Sequence, residues 1–265
     1  PWRTLYTGDE CSGDQVIALW QFRPGLETID NSGNGHDLKL NGDSAFVPGG
    51  VFGSCLESVT ADVKNDKAQG ASCRNHPDLS PKGAFTLEAW YKAKPEMADH
   101  PTSFLFDKKY YHYAKDIPKA NCDYCLYLSR RPGGKYTIVA YLGFGGDSST
   151  YSSKELPFVA DQWQHVAFIY DGAGTGRFFL DGQLVGRTTH EGREGITGGN
   201  YNLVIGDRYG SVHTGFPGYI DQVRICRGIV PFFTGSIEVS MAGGRTAFVR
   251  MERDCRLSVR VVNDT

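Results

Sequence analysis

The sequence predicts an all-β fold, an antiparallel two-sheet jelly-roll sandwich with extra C-terminal strands. The 33 glycines of the 265-residue chain separate many short segments of alternating apolar and polar residues, which is the pattern of a sandwich or barrel. The sequence contains no evident long amphipathic helix, so helical crossovers between parallel strands are not expected. The length is sufficient for one sandwich core and a smaller attachment.

The expected strands follow one another at short intervals. They comprise residues 15–22, 85–93, 103–106, 125–130, 136–142, 163–170, 177–180, 184–188, 202–205 and 219–226. Asp181-Gly182 between two apolar strands predicts a hairpin with a type I′ turn, and the Pro-Gly-Gly turn within residues 131–134 predicts a second hairpin.

Residues 163–170 form the most apolar of these segments. Because both faces of the segment are mostly apolar, we expect a covered strand in the middle of a sheet. His165 lies within it. We therefore interpret His165 as a hydrogen-bonded core histidine rather than a catalytic one.

The end of the chain differs from the rest. After a first domain over residues 1–230, the segments 236–241, 246–251 and 256–262 alternate again around a glycine turn. Three strands do not make a stable sandwich alone. Residues 231–265 are therefore expected to be accessory β-strands or the start of a further β domain.

The charge and hydropathy argue against two classes of partner. The net charge is −2, and no large cluster of Lys and Arg is present, so neither nucleic acid nor an anionic membrane surface is an expected partner. The longest apolar stretch, residues 15–22, is far shorter than the roughly 18–20 residues of a spanning helix. Membrane insertion is not expected.

The seven cysteines favour an oxidising compartment. Cys122 and Cys125 form the only C-x-x-C, whereas a structural zinc site usually needs a second ligand pair. We expect disulfides instead, with a bridge from Cys55 to Cys73 closing the polar stretch 58–72. The chain starts at Pro1, as a trimmed or processed fragment would, and a removed signal peptide is compatible with this start. The expected location is secreted or at the cell surface.

Four sequence motifs then occur in a fixed order. They are an opening strand with a D-x-S-G-N-G loop, F-T-L-E-A-W, W-Q-H-V-A with F-L-D-G, and G-Y-I-D-Q-V-R-I, which fall at residues 16–37, 85–90, 163–182 and 218–225. In this order the chain resembles the laminin-G-like, concanavalin A-like jelly rolls of secreted bacterial proteins. The resemblance implies a lectin-like sandwich that recognises carbohydrate, often contains a structural calcium ion and is attached to neighbouring domains. The insertion 94–121, the cysteines and the C-terminal strands depart from the family pattern.

A calcium site is expected in the loop after the first strand. Asp30, Asn31, Ser32 and Asn34 place four oxygen-bearing side chains in a glycine-rich turn, and hard cations prefer oxygen ligands. Asp221 is the candidate for a further carboxylate, because the resemblance places the first and last strands side by side. The alternative is that these residues only form a good turn.

Two loops are candidates for glycan binding. The insertion carries one group of polar and aromatic residues and a later loop carries another, and together they comprise Asp107, Tyr110, Tyr111, His112, Tyr113, Arg208, Tyr209 and His213. Aromatic faces stack on sugar rings while polar groups bind the hydroxyls. Alternatively, the aromatic residues pack the loops onto the sandwich.

The sequence contains no recognised catalytic motif. An E-x-D-x-x-E strand, which would place two carboxylates at one cleft, is missing, and so is G-x-S-x-G. The prediction is a non-catalytic carbohydrate-binding module. Two alternatives stay open, a polysaccharide lyase or glycosidase that uses Asp107, His112 and Tyr113, and a structural or adhesion module.

Overall fold

The computed structural model describes residues 15–60, 68–108, 110–111, 121–208, 215–230, 237–241, 245–251 and 257–263, with backbone only for residues 110–111 and those after 230. Two short 3-10 helices, Pro77–Leu79 and Pro95–Asp99, accompany the strands. The strands in the described part of the chain are β1 Val16–Trp20, β2 Leu38–Leu40, β3 Ala45–Pro48, β4 Ser54–Ser58, β5 Ala71–Cys73, β6 Phe85–Ala93, β7 Thr102–Asp107, β8 Tyr110–Tyr111, β9 Asn121–Cys122, β10 Tyr124–Arg131, β11 Lys135–Gly143, β12 Ser148–Ser152, β13 Leu156–Pro157, β14 Trp163–Tyr170, β15 Thr175–Leu180, β16 Gln183–Thr189, β17 Leu203–Ile205, β18 Gly218–Arg227, β19 Ile237–Met241, β20 Arg245–Met251 and β21 Leu257–Asn263.

Two antiparallel sheets of eight strands each form a sandwich, which confirms the predicted fold class. Sheet 1 has the order β16-β15-β14-β6-β18-β4-β3, with β1 paired to β18. Sheet 2 has the order β12-β11-β10-β7-β17-β5-β2, with β13 paired to β11. The first and last strands of the sandwich are therefore neighbours, as the resemblance implied.

The core lies between the two sheets. Residues of each strand alternate between the core and the outer face, so β6 sends Leu87 and Tyr91 inward while Glu88 faces outward. Strand β14 is buried on both faces, in agreement with the apolar pattern of its sequence. Its His165 is fully buried, with Nε2 3.3 Å from Oε2 of Glu88. Arg224 pairs with the same carboxylate, so His165 lies beside a buried ion pair.

The hairpin turns follow the expected chemistry. Asp181 and Gly182 both have positive φ, 49° and 76°, as a type I′ turn requires. The Asp181 carboxylate also accepts a hydrogen bond from the backbone N–H of His165 at 3.0 Å. The turn between β15 and β16 is therefore tied to the neighbouring strand β14.

The predicted insertion is partly integral to the sandwich. Strand β7, in its middle, lies between β10 and β17 of sheet 2. Strands β19, β20 and β21 form a separate three-stranded antiparallel sheet. The division of the chain at residue 230 stays a prediction. In the described part of the chain, no helix has both the length and the apolar character needed to cross a membrane.

The predicted bridge between Cys55 and Cys73 is wrong. Both residues carry free thiols and are buried. Cys55 lies in sheet 1 next to Leu56, which faces the core, so Cys55 faces the opposite side of the sheet. Cys73 lies in sheet 2 and faces the core. The pKa of each thiol is raised to about 12, mainly because the thiol is buried.

Candidate functional site

Two strands of sheet 2 bring together two of the residues that were predicted to bind a ligand. Asp107 ends β7 and lies opposite Val204 of β17, and Arg208 follows β17 by three residues. The Nε atom of Arg208 lies 3.9 Å from Oδ2 of Asp107. The Asp107 side chain is 2% exposed and the Arg208 side chain 13% exposed. The pair therefore has a buried carboxylate and a guanidinium that reaches the surface.

Aromatic side chains lie next to this ion pair. The guanidinium carbon of Arg208 lies 5.4 Å from the centroid of the Phe104 ring, which is within the range of a cation–π interaction. The Phe104 ring lies 5.1 Å from the ring of Tyr127. Tyr141, on the neighbouring strand, is partly exposed like Tyr127. We call Phe104, Asp107, Tyr127, Tyr141 and Arg208 the Arg208 cluster.

The Arg208 cluster lies on the outer face of sheet 2. Leu105 and Leu126 face the core, so their neighbours Phe104 and Tyr127 face outward. Burial is the main cause that raises the pKa of the Tyr127 hydroxyl to about 12, while Arg208 acts in the opposite direction. The Tyr127 phenol is therefore neutral at physiological pH and is able to donate a hydrogen bond.

The structure connects the cluster to the predicted aromatic segment. The Tyr141 hydroxyl donates to Oδ1 of Asn121 in β9, and Asn121 pairs with Tyr111 of β8. Tyr110 pairs with Cys122 in the same two-stranded ribbon. The backbone of Tyr110–Tyr111 thus lies beside the strands that carry the cluster. The other predicted ligand-binding residues lie outside the described residues, namely His112, Tyr113, Tyr209 and His213.

Three members of the cluster were missed by sequence reasoning. Phe104, Tyr127 and Tyr141 lie within strands, and an aromatic residue in a strand is usually a core residue. The signal that could have found them is alternation, because each follows or precedes a core leucine and therefore faces outward.

The glycine-rich loop after β1 is closed by the carboxylate of Asp30. Its Oδ1 accepts hydrogen bonds from the backbone N–H groups of Leu19 at 3.0 Å and Ser32 at 2.9 Å. Its Oδ2 accepts from the backbone N–H of His36 at 3.0 Å. These N–H groups satisfy a carboxylate that is only 5% exposed.

The other predicted calcium ligands in the loop also bind the backbone. Ser32 donates its hydroxyl to the carbonyl of Ile17, and the Asn34 amide donates to the carbonyls of Val16 and Ile17. The Oδ1 atom of Asn31 accepts from the backbone of the residue after β1 at 3.4 Å. The side chains therefore tie the loop to β1.

Asp221 accepts backbone hydrogen bonds at a different loop. Its Oδ2 accepts from the N–H of Val51 at 2.6 Å and of Phe52 at 3.4 Å, and its Oδ1 accepts from Gln222 at 2.7 Å. Burial outweighs these bonds and raises the pKa of Asp221 to about 7. The backbone N–H groups account for the contacts of the Asp30 and Asp221 carboxylates, which is the arrangement expected of residues that form a turn. Calcium binding at Asp30 and Asp221 stays a prediction.

Comparison with known protein families identifies the superfamily of this chain. A model of the concanavalin A-like lectin/glucanases superfamily, of the laminin-G type, matches residues 65–229. The chain belongs to this superfamily. The matched region contains β5 to β18 and all five residues of the Arg208 cluster. A comparison with curated proteins found no significant sequence match.

Solved structures with the same fold include domains of bacterial toxins and enzymes. The receptor-binding domain of botulinum neurotoxin C/D mosaic serotype is 11% identical, with a TM-score of 0.58, and the alignment covers 82% of this chain and 49% of that one. The serotype D ligand-binding domain, solved in complex with N-acetylneuraminic acid, is also 11% identical, with 82% and 48% covered and a TM-score of 0.58. The chain thus spans about half the length of these toxin domains.

A third structure has nearly the length of this chain. It is domain 4 of AbnA, an extracellular GH43 arabinanase from Geobacillus stearothermophilus, in complex with arabinotriose. It is 18% identical, with a TM-score of 0.51, and the alignment covers 81% of this chain and 93% of that one. At this level of identity the likeness shows the common concanavalin A-like fold.

Proposed function

We propose that this chain is a non-catalytic glycan-binding module of a secreted or cell-surface protein, joined to neighbouring domains and binding carbohydrate at the Arg208 cluster. The observation that carries the proposal is that the Arg208 guanidinium lies close to both the Asp107 carboxylate and the Phe104 ring. Two partly exposed tyrosines stand beside it.

The cluster combines the two elements that sugar recognition needs. Tyr127 and Tyr141 offer aromatic rings for stacking on the apolar face of a pyranose or furanose ring. Arg208 offers several N–H donors in a fixed plane for hydroxyl or carboxylate groups of a glycan. The family membership and the glycan-bound neighbours support the same class of ligand.

A glycan panel tests this proposal directly. The panel includes gangliosides, sialylated glycans and arabino-oligosaccharides, each with and without added calcium. We expect saturable binding to at least one glycan class, and Arg208→Ala should weaken it about tenfold or more, since a hydrogen bond to a charged group contributes about 1.5–3 kcal/mol.

Arg193→Ala is the matched control. Arg193 also forms an ion pair, with Asp147 at 2.7 Å, and its guanidinium carbon lies 4.8 Å from the Phe144 ring, but outside the cluster. Equal losses of affinity in the two variants would contradict the assignment to the cluster. No binding to any glycan would contradict the proposed function, and release of reducing ends or unsaturated sugars would favour a catalytic member of the superfamily.

A further inference from the structure

Two histidines and an aspartate meet beside the loop that closes β1. They are His36, at the end of the glycine-rich loop, and His76 and Asp78, at the start of the 3-10 helix Pro77–Leu79. Each has one ligand-capable atom within 4.8 Å of those of the other two. The rings of His36 and His76 have centroids 5.0 Å apart. The three side chains therefore converge on one point.

His36 is held rigidly in this position. Its backbone N–H donates to the Asp30 carboxylate at 3.0 Å, and its carbonyl accepts from the indole N–H of Trp20 at 2.8 Å. The residue is 4% exposed, and its Nε2 has no hydrogen-bond partner among the described residues. Burying an imidazole nitrogen without a partner is costly, so a ligand at this atom would compensate for the cost.

Burial also favours the neutral form of the His36 ring over the protonated form. It lowers the pKa of His36 below the ordinary value of a histidine, although the nearby Asp30 acts in the opposite direction. A neutral imidazole has a lone pair available for a metal ion. The carboxylate of Asp30, which is also an expected calcium ligand, helps to position His36 through its backbone hydrogen bond.

His76 and Asp78 lie closer to the surface than His36, and Nδ1 of His76 accepts a hydrogen bond from the backbone N–H of Asp78 at 3.3 Å, which leaves Nε2 of His76 as the nitrogen for a metal ion. Their side chains are 52% and 46% exposed, and Nδ1 of His76 lies 3.6 Å from Oδ2 of Asp78. Arg227 pairs with the other carboxylate oxygen, Oδ1, at 3.0 Å. Oδ2 is thus the carboxylate oxygen that remains available when the ion pair with Arg227 is kept.

We propose that His36, His76 and Asp78 bind a divalent metal ion such as zinc. Two imidazoles and one carboxylate form a donor set that suits zinc, cobalt or nickel, whereas calcium requires more oxygen ligands. Ligand atoms of a tetrahedral zinc ion lie about 3.3 Å apart, since the metal–ligand distances are about 2.0 Å. The ligand atoms lie within 4.8 Å of one another, so metal binding requires the exposed side chains of His76 and Asp78 to rotate toward His36. Water or an external group completes the coordination.

Isothermal titration of the tag-free chain with zinc chloride, and with calcium chloride in parallel, tests this site. We expect one equivalent of zinc to bind and to raise the melting temperature, because the ion binds the folded state. His76→Gln and Asp78→Asn should each weaken zinc binding tenfold or more. These two positions are chosen because both side chains are exposed, so the variants should fold, which their melting temperature without metal verifies.

Matched controls and a spectroscopic probe separate this site from others. His190→Gln changes a partly exposed histidine elsewhere. Asp147→Asn changes an exposed aspartate that also pairs with an arginine. Both variants should bind zinc as the wild type does. Zinc binding that is unchanged in His76→Gln and Asp78→Asn would overturn the proposal. The proposal would also be overturned if titration showed no binding of one equivalent of zinc. A thiolate-to-cobalt charge-transfer band in the cobalt(II) complex would overturn it too, because that band indicates cysteine ligands.

Discussion

At the scale of single residues, the buried carboxylate of Glu88 determines much of the electrostatic behaviour of sheet 1. Burial alone would raise the pKa of Glu88, but Arg224 and His165 together lower it below its ordinary value. A lowered pKa means that the ionised form stabilises the fold at pH above about 4.5, and this stability is lost as the pH falls through the folded-state pKa. Glu88 is therefore a source of acid sensitivity.

We expect Glu88→Gln to destabilise the protein by roughly 3–5 kcal/mol at pH 7, because it leaves the Arg224 charge buried without its partner. The difference in stability between pH 7 and pH 3 should shrink in the variant. Urea denaturation at both pH values measures this. Glu155→Gln is the control, since Glu155 pairs with Lys135 at an exposed site and should matter little. Equal effects of the two substitutions would contradict the account.

At the scale of elements, the turn between β15 and β16 has a strict backbone requirement. Gly182 adopts a φ of 76°, a left-handed conformation that costs an L-residue about 1–2 kcal/mol. We expect Gly182→Ala to lower the free energy of unfolding by about that amount. Gly146→Ala, where an added Cβ meets no atom within 4 Å, should be nearly neutral. Thermal unfolding of both variants checks the prediction, and equal melting temperatures would count against the turn assignment.

The strands differ in how well the sequence predicts them. Long strands with clear alternation, such as β6, β14 and β18, were predicted within one or two residues. Strands β2 to β5 were missed, because segments of three to five residues in a polar region show too little alternation.

The glycan site was predicted in part. Asp107 and Arg208 were each identified, but about 100 residues separate them, and only the pairing of β7 with β17 brings them together.

At the scale of the whole molecule, the sandwich shields its thiols. Cys55 and Cys73 are both 1% exposed, and burial is the main cause that raises the pKa of each to about 12. The thiolate is the reactive form, so both residues should resist alkylation in the native protein at pH 8 and react after unfolding without reductant. Mass spectrometry of iodoacetamide-treated samples measures this. Failure to label the two residues in the unfolded, unreduced protein would indicate a disulfide.

The pairing of β1 with β18 also determines when the sandwich can close. Val16 lies opposite Cys226, so roughly 200 residues separate the two partners in the chain. At about 5–20 residues per second, β1 leaves the ribosome about 10–40 s before β18 is synthesised. During this interval the apolar residues of β1 lack their partner strand. Such distant contacts slow folding and leave unpaired strands exposed to aggregation, so we expect the nascent chain to be most prone to aggregation before β18 is synthesised.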